Sequence, residues 1–483
     1  MELQWNKIPC PYLQTQIRQV QMLEETLELR VPEELPDIGR VLCAWGQGVV
    51  RNKQWRGDGM NVSGGVTVSV LYLPEDGSAA RCVESWLPFQ TKWSFPQTRR
   101  EGAMRISCLL RGVDARTLSA RKMMLRANIS LLGEALEPAE TEIYSYGELP
   151  AGVEVLTNVY PAVLPREAGE KQFTLEDEIH IPGVSKWVSF SLQPELSEQN
   201  VVGSRVVMRG NGDLRYVYLD EQGEIRSGNL EIPFAQFADL DRDYDNEATA
   251  DVLLCVSGLE PEIGENGIRV QCGVTAQYLI KDRALLEIAE DAYSPTRDLS
   301  VNAQILKLPM ELENRVEVLD ADPVFQDGKV LDMVFLPEHP TQYRDGDMVN
   351  LEVPAQFRFL YQDQEGNLQS ATENWATTLT VPAAENTQLL PTIASVEHSG
   401  NSVRMKLNLQ TWADQQISMI SALTVGGSKP LDEGRPSVII RPMDTDSLWK
   451  LAKANGSTMD AIRKANQLTQ EPRQGQMLLI PVT

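Results

Sequence analysis

Histidine is scarce in this chain. His180, His339 and His398 are the only three in 483 residues, and no two sit at the spacing of a metal site. The six cysteines, at positions 10, 43, 82, 108, 255 and 272, contain no CxxC pair. Such scattered thiols read as reduced core residues rather than a disulfide framework or a zinc site. No Gly-x-Ser-x-Gly elbow and no Gly-x4-Gly-Lys-Ser/Thr phosphate loop is present, which removes the commonest nucleophile and nucleotide signatures. Gly210-Asn-Gly212-Asp213 reads as a turn inside a repeat, with no helix after it to make a dinucleotide site. The expectation is a protein that is not an enzyme, with no cofactor and no metal.

Positive charge is also in short supply. The net charge of −24 argues against nucleic acid and against a basic patch on anionic lipid. Acidic runs such as Glu24-Glu25, Glu176-Asp177-Glu178 and Asp239-Leu-Asp241-Arg-Asp243 could supply glycosidase carboxylates or calcium ligands in principle. The last lacks the glycine and closing glutamate of a calcium loop, so a solvated loop is expected there. Aromatics make up only 6%, too few for a chain built of sugar-stacking platforms. Met1–Tyr12 has no apolar core of a leader, and no stretch is long enough to span a membrane. The reading is a cytoplasmic chain without a transmembrane segment.

What is present is repetition. Val70-Leu-Tyr72-Leu-Pro-Glu-Asp-Gly77, Tyr216-Val-Tyr218-Leu-Asp-Glu-Gln-Gly223 and Phe359-Leu-Tyr361-Gln-Asp-Gln-Glu-Gly366 each place a tyrosine five residues before a glycine, and the tyrosines are 146 and 143 residues apart. Leu87-Pro88-Phe89 matches Ile232-Pro233-Phe234, where the third copy has Trp375. Strands opened by Arg121, Arg269 and Arg404 follow in the same register. Linkers agree too, Glu142-Ile-Tyr144-Ser145 with Asp291-Ala-Tyr293-Ser294. Period-two alternation, as in Val66-Thr-Val68-Ser-Val70-Leu-Tyr72, with an acidic Asp-Gly or Glu-Gly turn after it, predicts hairpins. Helical periodicity before residue 430 is confined to Gln14–Leu29. The fold class is therefore mainly β: three tandem β-sandwich-like repeats at 1–139, 140–285 and 286–426, arranged as a rod, followed by a small α+β (βααβ) module at 427–483.

That last module differs in charge. From Pro430 onward seven basic residues face six acidic ones, so the tail is +1 and everything before it −25. Val438-Ile-Ile-Arg reads as a strand. Leu448, Leu451 and Ala452 form one apolar stripe at helical spacing, and Ala461, Ile462 and Ala465 a second. Asn455-Gly456 stops the first helix. Ser457, three residues before Asp460, has capping-box spacing. Gly475-Gln476 leads into Met477-Leu-Leu-Ile480-Pro481, and Trp449 is assigned to the core.

This tail resembles a LysM domain, the βααβ module known for binding N-acetylglucosamine polymers. The family's turn before the first helix carries glycine where Thr445 stands, and a β-branched residue resists the left-handed conformations open to glycine. The resemblance implies an interaction surface on two turns, Thr445, Asp446, Ser447 and Leu448 with Asn466, Gln467 and Leu468. The repeats, their Tyr-Ser linkers and the C-terminal LysM together resemble SPOCS-domain spore coat morphogenetic proteins of the SipL type. That resemblance implies a scaffold at the forespore and spore coat surface in the mother-cell cytoplasm, its LysM docking on a coat basement-layer morphogenetic ATPase as protein partner. The alternative is a peptidoglycan-binding wall protein or the targeting subunit of a wall hydrolase.

Overall fold

The computed structural model describes residues 5–263, 267–399, 402–430, 434, 436–444 and 447–482. Strand accounts for 76% of the chain and helix for 3%, so the chain is mainly β, and among the described residues its helices are confined to the tail. The first repeat contains β1 (Trp5–Arg30), β2 (Ile38–Arg56), β3 (Gly59–Pro74), β4 (Arg81–Ser94), β5 (Ala103–Ser119) and β6 (Lys122–Tyr146). Its first strand pairs with its last along the full length of both, giving the order β1-β6-β5, while β2-β3-β4 forms a second sheet. Inward residues of the two sheets, among them Val66, Val68, Trp93, Leu125 and Ile129, share one core.

The same plan recurs twice. β7 (Glu154–Ile179), β8 (Val184–Asp220), β9 (Ile225–Tyr244), β10 (Thr249–Ile263) and β11 (Ile268–Tyr293) make the sheets β10-β11-β7 and β8-β9. In the third, β12 (Arg297–Ala321), β13 (Lys329–Pro337), β14 (Thr341–Asp345), β15 (Met348–Gln362), β16 (Leu368–Pro382), β17 (Gln388–Ser399) and β18 (Ser402–Ser428) give β12-β18-β17 and a sheet centred on β15. The repeated Tyr-x4-Gly motif lands on the β3–β4, β8–β9 and β15–β16 turns. There Gly77, Gly223 and Gly366 take φ of 73°, 78° and 87°, conformations that explain the glycine. Tyr72 is fully buried and its hydroxyl donates to the Pro36 carbonyl at 3.0 Å. Pro88 and Pro233 point outward, and Phe89 and Phe234 inward.

Several local expectations yield to strand pairing. Gln14–Leu29 is strand, because its partner β6 supplies a continuous ladder that an isolated helix has no means to match. Gly210 and Gly212 lie within β8 rather than in a turn; a Cβ on Gly210 would strike the Glu195 carbonyl oxygen, so the glycine permits a close strand approach. Asp239, Asp241 and Asp243 lie on β9, not in a loop. The Tyr-Ser motifs taken for linkers sit at strand ends, Tyr144-Ser145 in β6 and Tyr293 closing β11.

The copies do not line up as a rod. The far halves of the long first–last strand pairs extend as ribbons, and all three ribbons share a core that includes Cys10, Ile143, Leu164, Ile288, Leu306 and Met419. A second shared core joins Leu42 and Trp45 of the first repeat to Val188 and Val217 of the second and Leu360 of the third. In a rod such side chains would face water; burying them drives the three copies around a common centre. Asp332, 4% exposed, ties all three together. It accepts from the Trp45 indole at 2.7 Å and from Arg215 at 3.2 Å. Arg105, 1% exposed, bridges the first two copies through Glu134 at 3.1 Å and Asp251 at 3.2 Å.

Removing Asp332 leaves the Trp45 indole without its acceptor and the Arg215 guanidinium without its carboxylate partner inside the body, with the Met333 carbonyl as its remaining acceptor on that nitrogen. Asp332→Ala is expected to lower stability by about 3 kcal/mol or more, read as a drop in the urea midpoint, and Asp332→Asn, which keeps one acceptor, by less.

The LysM module and its seat on the body

The tail folds as β19 (Val438–Pro442), α1 (Leu448–Asn455), α2 (Met459–Ala465) and β20 (Met477–Pro481). β19 and β20 pair antiparallel, with Ile440 opposite Leu479. Leu448, Trp449, Leu451 and Ala452 are buried from α1 and Ile462 from α2, while Ala465 is exposed, so the second stripe is narrower than its spacing suggested. Ser447 caps α1, accepting from the Lys450 amide at 3.3 Å. Gly456 ends α1 at φ 61°, the left-handed cap that glycine suits. The cap of α2 is Thr458, which accepts from the Ala461 amide at 3.1 Å. Ser457, expected to fill that place, is wholly buried one residue earlier.

The residues predicted to form the interaction surface have unlike settings. Thr445 and Asp446 lie outside the described residues. Leu448 points into the core, 1% exposed. Asn466 is consumed internally: its amide donates to the Ile462 and Leu479 carbonyls at 2.8 and 2.6 Å and accepts from the Leu479 amide at 2.8 Å, fastening α2 to β20. Gln467 is exposed and takes φ 55°, the sole non-glycine positive φ among the described residues, and Leu468 is half-buried against the module core. Of the five predicted interaction residues that are described, Gln467 is the one that is exposed, with Ser447 half-buried beside α1.

Trp449 is in the core, 4% exposed, but part of its setting comes from the second repeat. Its ring meets Tyr293 edge-on at 4.7 Å between centroids, and its indole donates to Asp291 at 2.8 Å. Lys453 places its ammonium 2.7 Å from both Asp291 oxygens. The Tyr293 hydroxyl donates to the Ser457 carbonyl at 2.9 Å. Burial pushes the Asp291 carboxyl up, but the Lys453 and Trp449 hydrogen bonds outweigh it and hold the group below its ordinary range. On the same seam burial, and then the Asp460 charge, raise Glu154. The seat went unread in the sequence because the Asp291-Ala-Tyr293 motif looked like a repeat linker. The available clue was that the motif is copied at Glu142-Ile-Tyr144 but not at the end of the third repeat.

Other candidate chemistry does not converge. His180 stands exposed 3.3 Å from Glu178. His339 titrates below its ordinary value through burial and then Arg111. His398 lies beside Arg215 on an interior cavity of about 160 Å³, where burial and then the Arg215 charge push it down to about 3. Among the described residues no three His, Cys, Asp or Glu side chains are grouped to hold a metal. All six cysteines are free, and burial pushes Cys43, Cys82, Cys255 and Cys272 up to about 12, where a thiol is unreactive. Glu176 and Glu178 share Arg269, and Asp239 pairs with Arg205. No helix among the described residues is long and apolar enough to cross a membrane.

A two-stranded sheet packed with a short helical hairpin defines a small βααβ module. Residues 445–481 match the family described as the LysM domain, so the tail is a LysM domain. No curated protein and no solved structure matches the chain.

Cutting the seat should uncouple the module without unfolding it. Asp291→Ala is expected to split calorimetric unfolding into two transitions, the smaller and earlier one belonging to the LysM domain. Trp449→Ala should abolish that smaller transition, since a core of about fifty residues has little to spare for the loss of its largest side chain.

Proposed function

We propose that this protein is a non-enzymatic scaffold of a bacterial cell envelope, with the three-repeat body as a rigid platform and the LysM domain as its adaptor. The observation that carries the reading is the LysM domain itself, seated on the body through Trp449, Lys453 and Asp291. The family match supports a capacity to bind peptidoglycan or other N-acetylglucosamine polymers. Gln467, held exposed in a left-handed turn that costs of order 1 kcal/mol for a non-glycine residue, is the side chain we assign to that contact. The narrower reading is docking on a spore coat basement-layer morphogenetic ATPase at the forespore surface, in the mother-cell cytoplasm. Its support is the SPOCS-type resemblance of the repeats, and a platform with a fixed adaptor suits a polymeric partner, where many weak contacts add through effective concentration.

The test sets the full chain against purified peptidoglycan and, in parallel, against extract of sporulating mother cells. Retention on peptidoglycan that falls several-fold in Gln467→Gly, with thermal stability kept or raised, supports the glycan adaptor. Recovery of the coat ATPase without wall retention supports the narrower docking. Retention of nothing by a folded chain overturns both.

A further inference from the structure

An antiparallel sheet that meets water on one side usually alternates, apolar inward and polar outward. The LysM sheet departs from that pattern. Its inner positions include Leu478 and Ile480, which are buried, and Ile439, which packs against the module core. The outer positions are Val438 opposite Pro481, Ile440 opposite Leu479, and Pro442 opposite Met477. All six are apolar. Val438, Ile440, Met477 and Leu479 remain 49, 60, 60 and 41% exposed with the module seated on the body, so the body leaves this face open. Threonine serves as well in an exposed strand, and the module core is built from the opposite positions. Folding of the module therefore does not account for an outer face without a single polar residue.

Packing on the face fits this sheet better than strand addition at its edges. The Asn466 amide occupies both outward main-chain groups of Leu479 on β20, and Pro442 has no N–H to offer along β19. On the rim, Arg441 and Asp444 are exposed and make no ion pair among the described residues. A patch that is apolar at its centre, with one cation and one anion at its margin, is complementary to itself, as a two-fold contact between identical chains requires. The charge distribution points the same way. Everything before Pro430 carries −25 and the tail +1, so two copies repel body to body and approach most easily through their tails. A strongly charged partner gains nothing from a face without charge. Two such faces would cover about 400 Å² per partner, half of what a stable complex buries, so the contact is weak and fills where copies are crowded.

We propose that the outer face of the LysM sheet is a homotypic contact, packing on the same face of a second copy of this chain. The test is sedimentation velocity of the full chain over a concentration series from about 5 µM to about 500 µM, the range in which a contact of this size is half-filled. The expected result is a concentration-dependent shift from monomer to dimer. Association should weaken about tenfold or more in I440K/L479K, which buries charge in the contact, while the LysM unfolding transition persists because both positions are exposed. The uncharged variant I440T/L479T should act in the same direction. Val316→Lys, at an exposed apolar position on β12, and Gln467→Gly should dimerise as the parent chain does. Monomers throughout the range, unchanged association in I440K/L479K, or equal loss in Val316→Lys or Gln467→Gly would each overturn the proposal. Monomers that float with neutral phosphatidylcholine vesicles would overturn it in favour of a lipid surface.

Discussion

Everything in this molecule hangs on one pairing: the first strand of each repeat lies against its last. That contact runs from Trp5↔Tyr146 to Arg30↔Lys122 in the first copy and recurs in β7–β11 and β12–β18. Near one end the paired strands cover a sandwich; beyond it they continue as a two-stranded ribbon. A lone ribbon is marginally stable in water. Three ribbons that pool their apolar faces are not, and the shared core around Cys10, Leu164 and Met419 is the result. Ribbon pooling and sandwich packing then oblige the copies to close around a centre, where one carboxylate, Asp332, serves all three.

Closure explains why the tail is placed as it is. The ribbon of the second copy ends in Asp291 and Tyr293, and the LysM domain caps that end. The equivalent end of the first copy shows the same chemistry met from within: Lys7 bonds Glu142 at 2.9 Å and lies 5.5 Å over the Tyr144 ring. A carboxylate, an aromatic ring and a lysine recur at both ends, supplied by the copy's own strand in one and by Lys453 of the LysM domain, with Trp449 against the ring, in the other. Such an arrangement holds an adaptor at a set orientation through a few directional polar bonds and one ring contact.

Much of this was legible from the chain, because repetition multiplies weak signals. One Tyr-x4-Gly segment is an ordinary turn; three at a near-constant period identify a common hairpin, and the positive φ of Gly77, Gly223 and Gly366 is its physical cause. The LysM domain was equally readable from its helix stripes and Gly456 stop. What escaped were features decided by distant partners. Gln14–Leu29 carries a helical pattern that β6 overrides, and Gly210 looks like a turn because its neighbour, the Glu195 carbonyl, is close only in space. The two turns predicted to carry the interaction surface came from the LysM resemblance, and local spacing did not tell that Leu448 faces inward or that Asn466 is spent on Leu479. The apolar outer faces of the sandwiches held the information that a rod was wrong, yet alternation alone does not say which face meets another copy.

The first–last pairing also has a bearing on how the chain is made. During translation β1 leaves the ribosome long before β6 exists, so its edge stays unsatisfied while roughly a hundred further residues are added. Contacts of such sequence separation form slowly. By then the related strand β7 is close behind, offering a competing partner of the same length and architecture. The copies have diverged outside their shared turns, and that divergence has a kinetic value: it keeps each nascent strand waiting for its own partner rather than its neighbour's.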